Sequence, residues 1–212
     1  MKSLFDSGRV TQLLCIGAHP DDIELGAGGL VMRLVRNNPA LKIHWVVFCG
    51  AAAERAMEAR RAASVFADAG NLKVEVHAFR DAFLPWQGAD VKVAFEDLKL
   101  DCAPDLVLTH YREDRHQDHR QLSDLTYNTW RDHNILEYEV LKYDGDLGRP
   151  NLYLPLSEEE AREKARRISE AYGSQQKRQW FDEETFLAMM RVRGVECNAP
   201  YAEAFYSRKM VL

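Results

Sequence analysis

Apolar runs of strand length alternate with amphipathic runs of helix length through the first 131 residues, and this alternation leaves few folds open. The runs at 12–17, 42–48, 73–78 and 105–109 are rich in Val, Ile, Leu, Phe or Trp and read as strands. Helical segments fall at 26–37, 52–69, 90–101 and 118–131. In the second helix Ala56, Ala59, Ala63, Phe66 and Ala67 make one small apolar face, while Arg55, Glu58, Arg60, Arg61 and Asp68 lie elsewhere. Gly70-Asn71 closes that helix. A βαβα order of this kind predicts a parallel sheet with right-handed crossovers. The expected fold class is α/β: Rossmann-like, with a mainly parallel sheet, helices on both faces and strand order 3-2-1-4-5.

After about residue 132 the rhythm changes. Residues 135–143 read as a strand, and Gly145 to Pro150 as a turn-rich loop. Ser157 is a good N-cap, with Glu160 completing a capping box, for a charged helix to about 171. Asp182 caps a further helix over 182–192, and the tail from Phe205 to Leu212 reads as a strand. This portion is expected to be a smaller C-terminal α+β extension of the same domain. With no repeat, low-complexity tract or linker in view, residues 1–212 are expected to form a single domain.

Composition excludes several classes. A hydrophobic fraction of 46% beside 29% charged residues is that of an ordinary globular protein. Net charge is −5 and no basic run stands out, so no nucleic-acid partner is expected. No apolar run approaches a membrane span, and the N-terminus shows no long apolar leader. Cys15, Cys49, Cys102 and Cys197 are widely spaced without a CxxC pair and read as reduced thiols. The expected location is cytoplasmic.

The chemistry concentrates in two clusters. Ala18-His19-Pro20-Asp21-Asp22-Ile23-Glu24 follows the apolar run 13–17, at the carboxyl end of the first strand, where open α/β sheets place ligands. His116-Gln117-Asp118-His119 follows the fourth strand. Strands 1 and 4 are neighbours in the expected order, so the fold brings the clusters together at the switch point. His19, Asp22 and His119 would supply two neutral nitrogens and one anionic oxygen, the ligand set of many catalytic zinc sites. Asp21 is then left to accept a proton from the attacking water. His116, beside the ion, would stabilise an oxyanion and protonate a leaving group when it carries a proton. Asp118 is expected to hold a histidine ring in one tautomer, and Glu24 to support the site or cap the following helix. His44, His77 and His133 read as structural, and His110, at the end of strand 4, as the histidine most able to reach the site. Arg55 is the one arginine of its helix face near the loop after strand 2.

These residues resemble the LmbE/PIG-L family of metal-dependent N-deacetylases. Its first motif, Ala-His-Pro-Asp-Asp-x-Glu followed by a glycine pair, is matched by Ala18 to Glu24 with Gly28-Gly29. Its second, His-x-Asp-His, is matched by His116, Asp118 and His119. Arg55 and Glu58 resemble an Arg-x-x-Glu on the second helix, and Ala202-Glu203-Ala204-Phe205 a C-terminal signature. The likeness covers 12–131, thins from 132 to 193 and returns at 194–206. It implies release of acetate from an N-acetylglucosamine-type sugar or related small conjugate. It also implies one divalent metal, Zn²⁺ foremost with Fe²⁺ also accepted, on His19, Asp22 and His119. Asp21 would be the base and His116 the acid or oxyanion stabiliser. Arg55, from its place near the loop after strand 2, is expected to be a substrate-binding residue. The loop Phe48-Cys49-Gly50-Ala51-Ala52-Ala53 departs from the family's usual Thr/Ser-Asp-Gly, and Gln117 replaces a frequent proline.

Two other readings compete. A non-haem Fe(II) oxygenase uses the same two-His-one-carboxylate set, but would leave Asp21 without a task. A nucleotide-binding module needs a glycine-rich turn after strand 1, where this chain has two acids that would repel a pyrophosphate. The expected partner is thus a small N-acetylated molecule. Oligomeric state stays open, a homo-oligomer included.

Overall fold

The computed structural model describes residues 10–67 and 71–209. In chain order the elements are β1 (Gln12–Gly17), α1 (Asp22–Asn37), β2 (Lys42–Val47), α2 (Ala53–Phe66), β3 (Leu72–Val76), a 3-10 turn (Leu84–Gln87), α3 (Gly88–Asp101), β4 (Leu106–His110), α4 (Gln117–Thr129), β5 (Asn134–Tyr138), β6 (Leu152–Leu156), α5 (Glu158–Ala171), a second 3-10 turn (Gly173–Gln175), α6 (Glu183–Glu196) and β7 (Tyr201–Tyr206). The strands form one seven-stranded sheet in the order β3-β2-β1-β4-β5-β7-β6. β3 through β5 are parallel, which reproduces the expected 3-2-1-4-5, and β7 runs antiparallel to both β5 and β6.

The strand sequences explain the layering. Along β1, Leu13 and Cys15 point into a core shared with Ile23, Ala27 and Val31 of α1, Ala59, Ala63 and Phe66 of α2, and Ile168 of α5. Leu14 and Ile16 point into a second core with Val91 and Phe95 of α3 and Leu122 of α4. A strand buried on both faces has little room for polar side chains, which is why β1 reads as a nearly continuous apolar run from Leu13 to Gly17.

Several boundaries differ from the sequence expectation. α1 begins at Asp22 rather than residue 26, because Leu25 N already donates to Asp21 O at 2.9 Å and Asp21 serves as N-cap. Asp22 and Glu24 therefore sit in a first helical turn, where the helix dipole favours acids. The strand read at 135–143 stops at Tyr138. β6 falls in a stretch given no element by sequence, and the last strand is Tyr201–Tyr206 rather than 205–212. The expected end of α2 at residues 68–70 and the final Met210 to Leu212 lie outside the described residues. Both cap readings are seen: Ser157 and Glu160 form a reciprocal box, and Asp182 Oδ1 accepts from Thr185 N at 2.7 Å.

α1 is pressed onto its surroundings by small residues. A Cβ at Gly26 would lie 2.2 Å from Tyr138 Cδ2, and one at Gly28 would lie 2.6 Å from Phe66 Cε1. Tyr138 cannot step aside cheaply, since it is fully buried and its hydroxyl donates to Ile16 O at 2.6 Å. Gly26→Ala is expected to lower stability: overpacking costs about 1–3 kcal/mol, more than the gain of about 1 kcal/mol in helix propensity. A higher denaturant midpoint for that variant would contradict the close packing. The C-terminal signature ties into the same helix. Glu203, buried on β7, accepts from Gly29 N at 2.6 Å and Leu30 N at 2.7 Å, and pairs with the equally buried Lys164 at 2.7 Å.

Candidate metal centre

The loops after β1 and β4 start from adjacent strands and diverge, which sets the site at the carboxyl edge of the sheet. After β1 the chain turns sharply: Asp22 N donates to His19 O at 3.3 Å and Asp22 Oδ2 accepts from His19 N at 2.6 Å. Asp21, at the apex, has φ 103°, a left-handed conformation uncommon for a residue with a side chain. Such strain persists where surrounding contacts over-determine it, and it clusters at working sites. After β4, His116 caps α4, its Nδ1 accepting from Asp118 N at 3.3 Å. His119 follows in the first turn of α4.

Three donor atoms converge. His19 Nδ1 is 3.3 Å from Asp22 Oδ2 and 3.2 Å from His119 Nε2, and His119 Nε2 is 3.5 Å from Asp22 Oδ2. Corners of a tetrahedron drawn at zinc–nitrogen and zinc–oxygen bond lengths of about 2.0–2.2 Å lie about 3.3–3.6 Å apart. The spacing of these atoms therefore fits one small divalent ion. Other overlapping groups also lie within 4.8 Å of one another: His19, His116 and His119; Asp22, His110 and His119; and His19, Asp81, His116 and Asp118. The Nε2 of His110 is engaged, accepting from Ala18 N at 2.9 Å, so it is the poorer candidate for a ligand atom.

The electrostatics suit a cation. Burial, joined by the neighbouring His110, pushes His119 down to about 4, leaving it neutral as a ligand must be. Burial opposes the charge on Asp22, but His119, His110 and His19 outweigh it and hold its carboxyl well below the ordinary range. Burial likewise disfavours a charged His19, yet Asp22, Asp118 and Asp81 raise that ring well above its usual value. Surrounded by carboxylates, the His19 position calls for positive charge, whether a proton or a metal ion. Its Nε2 lies 3.0 Å from Asp81 Oδ1 and 3.4 Å from Asp118 Oδ2 but is hydrogen-bonded to neither.

Asp21 stands apart from Asp22. Its Oδ2 accepts from Arg55 Nη2 at 2.9 Å, and the same nitrogen donates to Pro20 O. Burial, with Asp22 adding to it, pushes its carboxyl up to about 7 despite the opposing Arg55. Adjacent carboxylates thus occupy different electrostatic environments, one held ionised among the histidines and one poised near neutrality.

Two carboxylates lie beside the ligand histidines. The carboxylate that fixes the His119 ring is Asp114, whose Oδ2 is 2.9 Å from His119 Nδ1. Asp114 is itself held by Lys142 Nζ at 2.9 Å and by His116 N at 2.7 Å. Asp118, whose Oδ2 lies 3.4 Å from His19 Nε2, also accepts from the Ala82 and Leu84 amides at 2.7 and 3.1 Å, pinning the loop after β3 against the site. An acid five residues before the ligand, outside the helix, carries no periodicity signal. Asp81 and His110 also reach the cluster. Asp81, 73% exposed, gives no pattern beyond its place after a strand, whereas His110 is wholly buried with its ring stacked on His119 at 3.9 Å. Glu24 is held by the Tyr172 hydroxyl at 2.6 Å. Removing the anchoring acid, as in Asp114→Asn, is expected to weaken metal binding by about 10–100-fold, read by competition with a chromogenic chelator; unchanged affinity would deny Asp114 that task.

A doubly covered α/β sheet with a histidine–carboxylate cluster at its switch point defines the broad class. The chain belongs to the PIG-L family: the model described as GlcNAc-PI de-N-acetylase matches residues 14–130, which contain both clusters. No curated protein matches it by sequence. Solved structures share the fold. The N,N'-diacetylchitobiose deacetylase of Pyrococcus horikoshii superposes with a TM-score of 0.74 at 18% identity, over 94% of this chain and 84% of that one. The zinc-inhibited form of teicoplanin deacetylase Orf2 gives 0.74 at 15% identity, over 93% and 97%. The 4-carboxy-2-hydroxymuconate hydratase GalB of Pseudomonas putida KT2440 gives 0.68 at 17% identity, over 95% and 98%. Among the described residues no helix is long and apolar enough to cross a membrane.

Proposed function

We propose that the chain removes an N-acetyl group from an amino sugar of the N-acetylglucosamine type, or from a related small conjugate. His19, Asp22 and His119 would hold one divalent ion, Zn²⁺ or Fe²⁺. Bound there, such an ion supplies Lewis-acid polarisation of the acyl oxygen and makes a water acidic near neutral pH. The rest of the reaction falls to the chain's own side chains. Asp21, with its proton affinity near neutrality, takes the proton of the attacking water. His116 accepts from Asp118 N through Nδ1, so its Nε2 carries the hydrogen and donates to the oxygen on which charge develops. Burial lowers the basicity of His116, which favours this neutral donor form over an imidazolium. The proton held by Asp21 then passes to the leaving nitrogen.

The observation that carries this reading is the division of labour between Asp21 and Asp22: one carboxylate faces the donor cluster, and its neighbour is turned to Arg55. An oxygenase would have no use for the second carboxylate, and none of the three solved structures described above is an oxygenase. Fold alone does not decide the reaction, since a hydratase shares it; membership of the de-N-acetylase family favours the amide. That residues 1–212 act as one unit belongs to the same proposal, supported by β7 pairing with β5 and by the Glu203 bonds to α1. A cytoplasmic location is likewise retained as a proposal.

The test is acetate release from a panel of N-acetylated sugars and conjugates, before and after chelation, with metal content measured alongside. Acetate release that stops on chelation and returns with added Zn²⁺ or Fe²⁺ is expected. Chelator-insensitive turnover, or turnover requiring dioxygen, would overturn the proposal.

A further inference from the structure

Arg55 was expected to meet substrate, yet its donors are directed inward. Nη2 serves Asp21 Oδ2 at 2.9 Å and the Pro20 carbonyl, while Nη1 donates to Glu58 Oε2 at 2.9 Å. Its guanidinium carbon sits 5.2 Å from the centre of the Tyr172 ring. Glu58 is fixed in turn from the far end of the chain: Ser174 N donates to Oε1 at 2.8 Å and Ser174 Oγ to Oε2 at 2.7 Å. Tyr172 and Ser174 flank the junction of α5 with the second 3-10 turn, beyond the residues 14–130 matched by the family model. Tyr172 also donates its hydroxyl to Glu24, so the same short segment meets the first turn of α1 directly and Asp21 through Glu58 and Arg55.

From this arrangement we infer that Ser174, Glu58 and Arg55 form a positioning chain that sets the carboxylate of Asp21, which makes the segment around residues 172–174 part of the site. The inference rests on the reading of Asp21 as the base. A guanidinium suits the task because its planar fork binds the Asp21 carboxylate, the Pro20 carbonyl and Glu58 in one fixed geometry, which a lysine ammonium cannot copy. The left-handed turn at Asp21 gives the chain something to hold, because Arg55 bonds both the carbonyl entering that turn and the carboxylate at its apex. Displacing a reacting group by about 1 Å costs about 10²-fold in rate. A positioning residue therefore acts on kcat, while a substrate contact acts on KM.

The test uses the full chain, metal-loaded, as Arg55→Met, Arg55→Lys, Glu58→Gln and Ser174→Ala. Arg55→Met is expected to lower kcat by about 10²-fold with KM and metal affinity unchanged. Glu58→Gln and Ser174→Ala should each lower kcat by about tenfold, the equivalent of one charge-assisted hydrogen bond, and Arg55→Lys should rescue little. Crystal structures supply a readout free of turnover: the Asp21 carboxylate should leave its place in Arg55→Met and stay in the wild type. A rise in KM at constant kcat would show Arg55 to be a substrate contact and overturn the inference. So would an unmoved Asp21 in the crystal. A displaced Asp21 in a protein that hydrolyses no N-acetyl amide would instead sink the proposed reaction and keep the positioning chain. Ser174→Ala, half-buried and small, keeps the question answerable should Arg55→Met fail to fold.

Discussion

Asp21→Asn should keep its metal and lose about 10²–10⁴-fold in kcat, the range over which a positioned base contributes. Asparagine is the right probe because it keeps the shape of aspartate and tolerates the left-handed φ of 103° better than most residues. The ligands should be undisturbed, since no bond joins the Asp21 carboxylate to His19, Asp22 or His119 and its partner is Arg55. Folding should not suffer: a carboxyl that burial pushes up to about 7 ionises more readily in the unfolded chain, so it costs stability near neutral pH and a neutral amide removes that cost. Kinetics on whichever N-acetylated substrate the wild type accepts, with metal affinity by chelator competition, check each part. Full activity would remove Asp21 from the mechanism. Loss of metal would make it a ligand and return Asp22 to the question.

Much of this arrangement is legible in the sequence, for physical reasons that also mark the limits. Strands covered on both faces are mostly apolar, so β1, β2 and β4 stand out despite the buried His44, Thr109 and His110, and the crossover rule then constrains their neighbours. β6 gives no such signal. It is an edge strand, only partly buried, with Pro155 next to its last residue, and proline in a short run argues against a strand unless an edge can be foreseen. At the site, the adjacent acids after β1 and the histidines opening α4 are readable because turn and helix geometry link near neighbours. Asp114, Lys142, Asp81 and the Ser174–Glu58–Arg55 chain are not, since their contacts join separate loops and depend on side-chain directions that no local pattern encodes. Asp118, whose place inside the second motif suggests a histidine neighbour, lies beside the His19 ring, but its bonds to the Ala82 and Leu84 amides of another loop are again unannounced by any local pattern.

The other large effect is expected at His119→Ala, which should leave the protein unable to retain a stoichiometric metal ion after dialysis. The donor atoms lie 3.2–3.5 Å apart, and His119 supplies one of the three, so its loss leaves only His19 and Asp22 of the set. Affinity should fall by more than the roughly 10–100-fold expected from disturbing the supporting Asp114. Stability offers a second readout. An ion that binds only the folded state raises stability by about 2.7 kcal/mol at a hundred times its dissociation constant. The melting temperature of the wild type should therefore climb as Zn²⁺ is added, while that of His119→Ala should not. Retention of one equivalent by His119→Ala would reject this ligand set. The competing group of Asp22, His110 and His119 is separated by His110→Asn, which should hold its metal because the His110 Nε2 already serves the Ala18 amide. If His110→Asn lost the ion as completely as His119→Ala, the ligand would be His110, and His19 would be left as a charged neighbour of the ion rather than one of its donors.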